Sequence, residues 1–350
     1  MTVYYVDPDA TGDNDGGGDG TDRTDPTEAA NWTHAWTDIQ TAFDSVSPGD
    51  ITYCRNTQDC DTTVDIDRSA VFTDTASASA TRFIGCDSDG NPGAGRFHMS
   101  FGNNAVNGLY ITGVFKIYIE HFEISSTATD AGTLDGLIGS VASGNARGNV
   151  FLNCYFHGWQ NYCANAYDGL QYSSFIRCKF SDSQTAVGLR TRYNQVLWCT
   201  LDNNANTGGY HASQGHWMGC VSHSNGEHGF HANGGGTILN CVSHGNGHDG
   251  LYVVSGNFFN LIGTRLTNNV GYGLNTTGRP IQTIGCYIQG NGDGDVAPAD
   301  EFQLEHEYGE TTSVTGGTDP GYGYNSGNLH DYNLRSDATN RGVAIELNTE

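Results

Sequence analysis

The chain has 350 residues, with 39 acidic side chains against 15 basic ones and a formal charge of −24. That balance repels nucleic acid and anionic membranes, and no apolar run is long enough to cross a bilayer. Only Lys116 and Lys179 are lysines, so the surface is acidic and lysine-poor, as suits a protein exposed to salt.

Residues 1–50 are expected to form an amino-terminal cap. Val3-Tyr4-Tyr5-Val6 is a strand, and residues 7–26 are a loop of Gly and Asp. Thr37 stands three before Gln40, which predicts a capping box and a short helix to about Val46. Trp36, Ile39, Phe43 and Val46 share one helical stripe, suited to covering apolar material beneath. Ser47-Pro48-Gly49-Asp50 ends the helix. The start of the chain carries no basic segment and no adequate apolar run, so it is not expected to be a secretion signal.

Residues 51–295 are expected to be one stack of coils. Phe83-Ile84-Gly85-Cys86 and Phe122-Glu123-Ile124 are early coil strands, with an insertion near Ser126 to Thr133. Beyond them Cys154, Cys178, Cys199, Cys220, Cys241, Thr264 and Cys286 recur at steps of 24, 21, 21, 21, 23 and 22 residues. Two before each marker stand Leu152, Ile176, Leu197, Met218, Leu239, Ile262 and Ile284; two after stand Phe156, Phe180, Leu201, Ser222, Ser243, Leu266 and Ile288. Strand alternation predicts that all three columns face one interior. Asn204, Asn225, Asn246, Asn269 and Asn291 predict an inward asparagine stack at a turn. A further strand opens with Gly and a large apolar residue, as in Gly188-Leu189, Gly209-Tyr210, Gly229-Phe230 and Gly250-Leu251. The intervals are too rich in Gly and Asn for the helix that a leucine-rich repeat needs. The expected fold is therefore all-β: a right-handed parallel β-helix of about eleven coils. Residues 296–350 lose the rhythm and carry Phe302, Tyr308, Tyr322, Tyr332 and Leu334, as a carboxy-terminal cap or docking segment.

Tyr5-Val6-Asp7, the glycine-rich loop, Trp36, Ile39-Gln40, Ala42 and Pro48-Gly49-Asp50-Ile51 resemble the amino-terminal cap of right-handed parallel β-helix proteins of the pectate-lyase-like superfamily, of the type found in phage virions. Asp331-Tyr332-Asn333-Leu334-Arg335-Ser336 is similar to an ending common there. The resemblance implies the fold. It leaves activity open, because the group holds lyases, hydrolases, epimerases, tailspikes and silent virion proteins. The paired aspartates and late Arg-Ile-Lys of its hydrolases are missing.

Several residues are candidates for chemistry. His211 and His231 are expected to point outward on adjacent coils, with His223 and His244 on neighbouring strands and His228, His248, Glu227 and Asp249 between them. Asp87 and Asp89 alternate with Ser88 in a loop suited to a structural Ca²⁺ or other divalent cation, although His98 stands where an EF-hand requires Glu. Arg177, Lys179 and Arg190 are a basic cluster suited to the carboxylate of a uronate during β-elimination. Trp159 and Trp198 are candidate sugar platforms, and Cys54 with Cys60 is the candidate disulfide. Each cluster also has a structural explanation. The expected role is therefore a non-enzymatic virion structural protein, a capsid decoration or tail or fibre component with weak glycan binding. The alternative is a polysaccharide lyase or depolymerase acting on acidic glycans. The partners expected are a homotrimer, other virion proteins and a host-surface or environmental polysaccharide. No nucleic acid and no membrane are expected, and the location is the virion surface or, alternatively, outside the cell.

Overall fold

Strands of two to five residues follow one another along the chain, most of them ended by a residue that turns the backbone. The computed structural model describes residues 1–67, 79–129, 133–140, 146–167, 169–211, 214–255, 259–277, 281–297 and 307–308. It is a right-handed parallel β-helix of about ten to eleven coils, with an amino-terminal strand-and-helix cap. The chain divides into two compact units, Met1–Thr185 and Ala186–Glu350. The successive strands of a coil belong to sheets A, B and C.

In the first unit, sheet A runs Val3–Val6, Ile51–Cys54, Thr81–Gly85, Ile117–Glu120, Val150–Leu152 and Ser174–Ile176. The helix of the cap spans Ile39–Ser45, and Trp36, Ile39, Phe43 and Val46 are buried along one stripe. Its amino end differs from the expected capping box. Asp38 is the cap, accepting from Thr41 N at 2.8 Å, while Thr37 N donates to Asn14. Gln40 is drawn away to the backbone of Asp65, which it meets at 2.7 and 2.8 Å. The interior is filled by stacked rings, Phe151 on Phe175 at 5.0 Å and Phe156 on Phe180 at 5.3 Å.

In the second unit, sheet C runs Leu189–Thr191, Gly209–His211, Phe230–Asn233, Leu251–Ser255, Tyr272–Asn275 and Gly294–Val296. Every strand pairing within it is parallel. The turn after sheet B carries the asparagine stack. Asn204, Asn225, Asn246 and Asn269 each donate Nδ2 to Oδ1 of the next, and Asn269 reaches Asn291, at 2.8–2.9 Å throughout. The six marker cysteines are interior and free. The thiols of Cys154, Cys178, Cys220 and Cys286 meet carbonyls of the preceding coil, as Cys220 Sγ meets Val196 O at 3.3 Å. Thr264 fits the column because its hydroxyl receives Cys241 N at 3.3 Å.

One expected column is wrong by a single residue. Leu152, Ile176, Leu197, Met218, Leu239, Ile262 and Ile284 are only half-buried, and the interior is lined by Phe151, Phe175, Val196, Trp217, Ile238, Leu261 and Thr283. The residue between that strand and the marker has positive φ: Asn153 54°, Arg177 53°, Trp198 54°, Gly219 65°, Asn240 51°, Gly263 58° and Gly285 59°. Alternation holds only inside a strand, and this left-handed corner resets its phase. Cys54 and Cys60 are both free and buried, so the expected disulfide is absent. Of the 296–350 segment, all but Val296, Ala297, Glu307 and Tyr308 lies outside the described residues.

Candidate functional site

Sheet C of the second unit pairs Arg190 with Tyr210, Tyr210 with His231, His231 with Tyr252 and Tyr252 with Asn275. Each is half-buried and flanked in its own strand by buried residues, for example Phe230 and Ala232 beside His231. Strand alternation therefore places all five on the outer face, one per coil and about 4.8 Å apart. The Arg190 guanidinium lies 5.7 Å from the Tyr210 ring. The His231 ring is 4.7 Å from that of Tyr210 and 5.1 Å from that of Tyr252. Tyr210 Oη accepts from Asn233 Nδ2 at 2.8 Å, which leaves its own proton to give.

Beside this row, the turn entering the sheet brings His228, His248 and Asp249 together. Both imidazoles aim Nδ1 at Asp249 Oδ2, His228 at 3.4 Å and His248 at 3.1 Å. Asp249 is fully buried and is held by Tyr272 N at 2.8 Å and Asn275 Nδ2 at 3.0 Å. The His228 ring stacks on Tyr252 at 4.5 Å. Burial lowers His231 to about 4. Burial also lowers His228 to about 4, with His231 and His248 adding to the effect and the Asp249 carboxylate opposing it. Both rings are therefore neutral near pH 7. Among the described residues this is the one group of three His, Cys, Asp or Glu donors close enough to share an ion, and it is compatible with a divalent cation.

The structure redistributes the residues expected from sequence. His231 is in the row, but His211 is not, because the true alignment sets Gly209 opposite Phe230 and Tyr210 opposite His231. That slip turns His211 inward, where it is 2% exposed and its Nε2 lies 2.8 Å from Gly215 N. His223 and His244 stack on each other at 5.2 Å in sheet B, away from the row. Arg190 lies in sheet C and joins tyrosines and histidine. Lys179 belongs to sheet B, lying over Tyr155 at 5.1 Å, and Arg177 occupies a left-handed corner. Trp159 is wholly buried and donates Nε1 to Ile124 O at 3.1 Å, so it offers no sugar platform. Trp198 is 51% exposed. Asp87 spends its carboxylate closing its own loop, accepting from Asp89 N at 3.0 Å and Asn91 N at 2.8 Å. The bonds to Asn91, side chain first, also hold that carboxyl below its usual range. Tyr210, Tyr252 and Asn275 escaped the sequence reading. A register set on Gly208-Gly209 in place of Gly209-Tyr210 would have aligned Tyr210 with His231, whereas Tyr252 and Asn275 already follow the apolar residues of Gly250-Leu251 and Gly273-Leu274.

Comparison with known proteins agrees on the fold. The family described as a right-handed beta helix region matches residues 139–292. No curated protein matches the sequence significantly. A rhamnogalacturonan lyase superposes with a TM-score of 0.59 at 12% identity, covering 88% of this chain and 87% of its own. The pectate lyase Pel9A gives 0.56 at 15% identity, covering 91% of this chain and 78% of its own. At such identities the likeness is one of fold. The ranking of a non-enzymatic role above an enzyme is corrected by these findings together. One of these structures is a rhamnogalacturonan lyase and the other a pectate lyase. His228, His248 and Asp249 form a group able to hold a metal ion. Among the described residues no helix is long and apolar enough to cross a membrane.

Proposed function

From a right-handed parallel β-helix with the pectate-lyase-like fold as premise, we propose that this protein is a polysaccharide lyase that cleaves uronate-containing glycans outside the cell. The observation that carries the reading is the in-register outer row Arg190, Tyr210, His231 and Tyr252. β-Elimination needs a cation facing the uronate carboxylate, a base for the C5 proton and an acid for the leaving oxygen. Arg190 supplies the permanent charge. His231, unprotonated near neutrality, takes the C5 proton. The C4–O4 bond then breaks, C4 and C5 share the new double bond, and the Tyr210 hydroxyl, which Asn233 leaves free to donate, protonates the departing oxygen. Tyr252 packs against His231 on its other side and orients it.

The test is absorbance at 235 nm with pectate, alginate and rhamnogalacturonan-type polymers, where elimination creates an unsaturated product. Tyr210→Phe and His231→Gln should each lower kcat by about 10²–10⁴-fold. Folded protein that leaves every uronan intact, or that releases reducing ends with no gain at 235 nm, overturns the reading.

A further inference from the structure

We propose that His228, His248 and Asp249 form a binding site for a first-row transition-metal ion of the Zn²⁺ class, independent of whether the neighbouring row cleaves glycans. The geometry is that of ligands sharing one ion. With metal–nitrogen and metal–oxygen bonds near 2.0–2.2 Å, tetrahedral donors stand about 3.3 Å apart. The two imidazole Nδ1 atoms stand 3.4 and 3.1 Å from Asp249 Oδ2, and the three donors fit within 4.8 Å.

Hydrogen bonding alone leaves the charge of this arrangement uncompensated. His228 Nδ1 faces both the Asp249 N–H at 3.3 Å, which needs a lone pair, and the Asp249 carboxylate at 3.4 Å, which needs a proton. One nitrogen of a neutral ring cannot serve both. Asp249 has no solvent exposure, and the groups forming ion pairs with it among the described residues are these two imidazoles, neither permanently charged. A buried carboxylate calls for a fixed counter-charge. A metal ion supplies one and takes the nitrogen lone pairs as ligands.

The surroundings are those of a supported metal site. Asn275 and the Tyr272 N–H fix the Asp249 carboxylate, the His248 backbone N–H donates to Glu227 O at 2.9 Å and so fixes its main chain, and Tyr252 holds the His228 ring by stacking. The His248 side chain is 56% exposed, so the site opens to solvent on one side. Three protein donors with an open position leave room for water or for an anionic oxygen of a ligand. Two nitrogen donors select against Ca²⁺ and Mg²⁺, which take oxygen.

The experiment uses the untagged full-length chain, stripped with EDTA, desalted and titrated calorimetrically with Zn²⁺ alone; Co²⁺ provides a visible spectrum as a second readout. The expected result is one tight equivalent, weakened at least about tenfold by His248→Ala, by Asp249→Asn and by the supporting change Asn275→Ala. His244→Ala should leave it unchanged, as should His34→Ala, which removes the imidazole that meets Asp13 and Asp19 at 2.6 and 2.9 Å in the cap. His248 is exposed, so its variant folds even where the buried Asp249 change does not. No saturable Zn²⁺ binding, binding untouched by His248→Ala, binding lost in His34→Ala, or displacement by equimolar Ca²⁺ each overturns the proposal. Zn²⁺ binding without uronan cleavage would sink the lyase reading and leave this one standing.

Discussion

Several interior columns of the coils and the outer row of sheet C are built differently. Inside, at the corner between sheets A and B, in sheet B and in the turn after it, cysteine stacks on cysteine, phenylalanine on phenylalanine and asparagine on asparagine. Outside, the row runs Arg190, Tyr210, His231, Tyr252 and Asn275, and no residue type is set on its own kind. Repetition suits an interior polar group or ring that can satisfy an identical neighbour, while apolar columns such as Phe175, Val196, Trp217 and Ile238 need only fill space. What marks the outer row is that a guanidinium, a phenol and an imidazole stand side by side on the outer face. His223 on His244, which repeats outside, is a ladder pair and falls on the structural side of that divide.

The comparison breaks if interior and exterior changes do similar things. The largest stability loss should come from Phe156→Ala, about 3–5 kcal/mol, because a stacked ring is removed and the hydrogen-bonded neighbouring coils cannot close the cavity. Chemical denaturation would measure it. By contrast, Tyr210→Phe should slow any uronan cleavage by about 10²–10⁴-fold while moving stability by no more than about 1 kcal/mol. A melting shift as large as that of Phe156→Ala would place Tyr210 on the structural side. Asn246→Ala should cost about 2–3 kcal/mol, since it strands the Asn225 backbone N–H and takes one of two donors from Asn269 Oδ1 inside the turn.

A pairing of unlike residues sharpens the rule further. A Cβ on Gly209 would sit 2.3 Å from the Trp217 ring, which is itself buried, so Gly209→Ala should cost about 1–3 kcal/mol. Adding Trp217→Leu should recover part of that loss; additive losses would show that the two are not coupled. The smallest effect expected is on pH. Burial holds His211 below its ordinary value of 6.5, with His216 adding to the effect and the Gly215 and His211 backbone opposing it. The unfolded chain therefore takes up this proton first as pH falls through 6.5, and stability is full above that value and declines below it. Melting temperature against pH should fall on the acid side, less steeply in His211→Gln.

Much of this was legible in the chain itself. The 21-residue step, the asparagine column and the marker cysteines each follow from local demands that every coil shares, so their spacing alone determined the fold. The helix stripe of Trp36, Ile39, Phe43 and Val46 was equally plain, because helical periodicity needs no partner to define its face. Tertiary structure decided what depends on phase. The left-handed corner at Asn153, Trp198 and Asn240 moved one apolar column from inside to out, and pattern alone does not reveal a positive φ in an asparagine or tryptophan. The same one-residue ambiguity at Gly208-Gly209-Tyr210 exchanged His211 for Tyr210 on the outer face, because a strand reverses every side chain when its register shifts by one. His228, His248 and Asp249 lie up to 21 residues apart, and only the coil's rise brings them to one carboxylate oxygen. Periodicity names the coils; which atoms meet across them is a matter of register, and register is settled by the packing of neighbours.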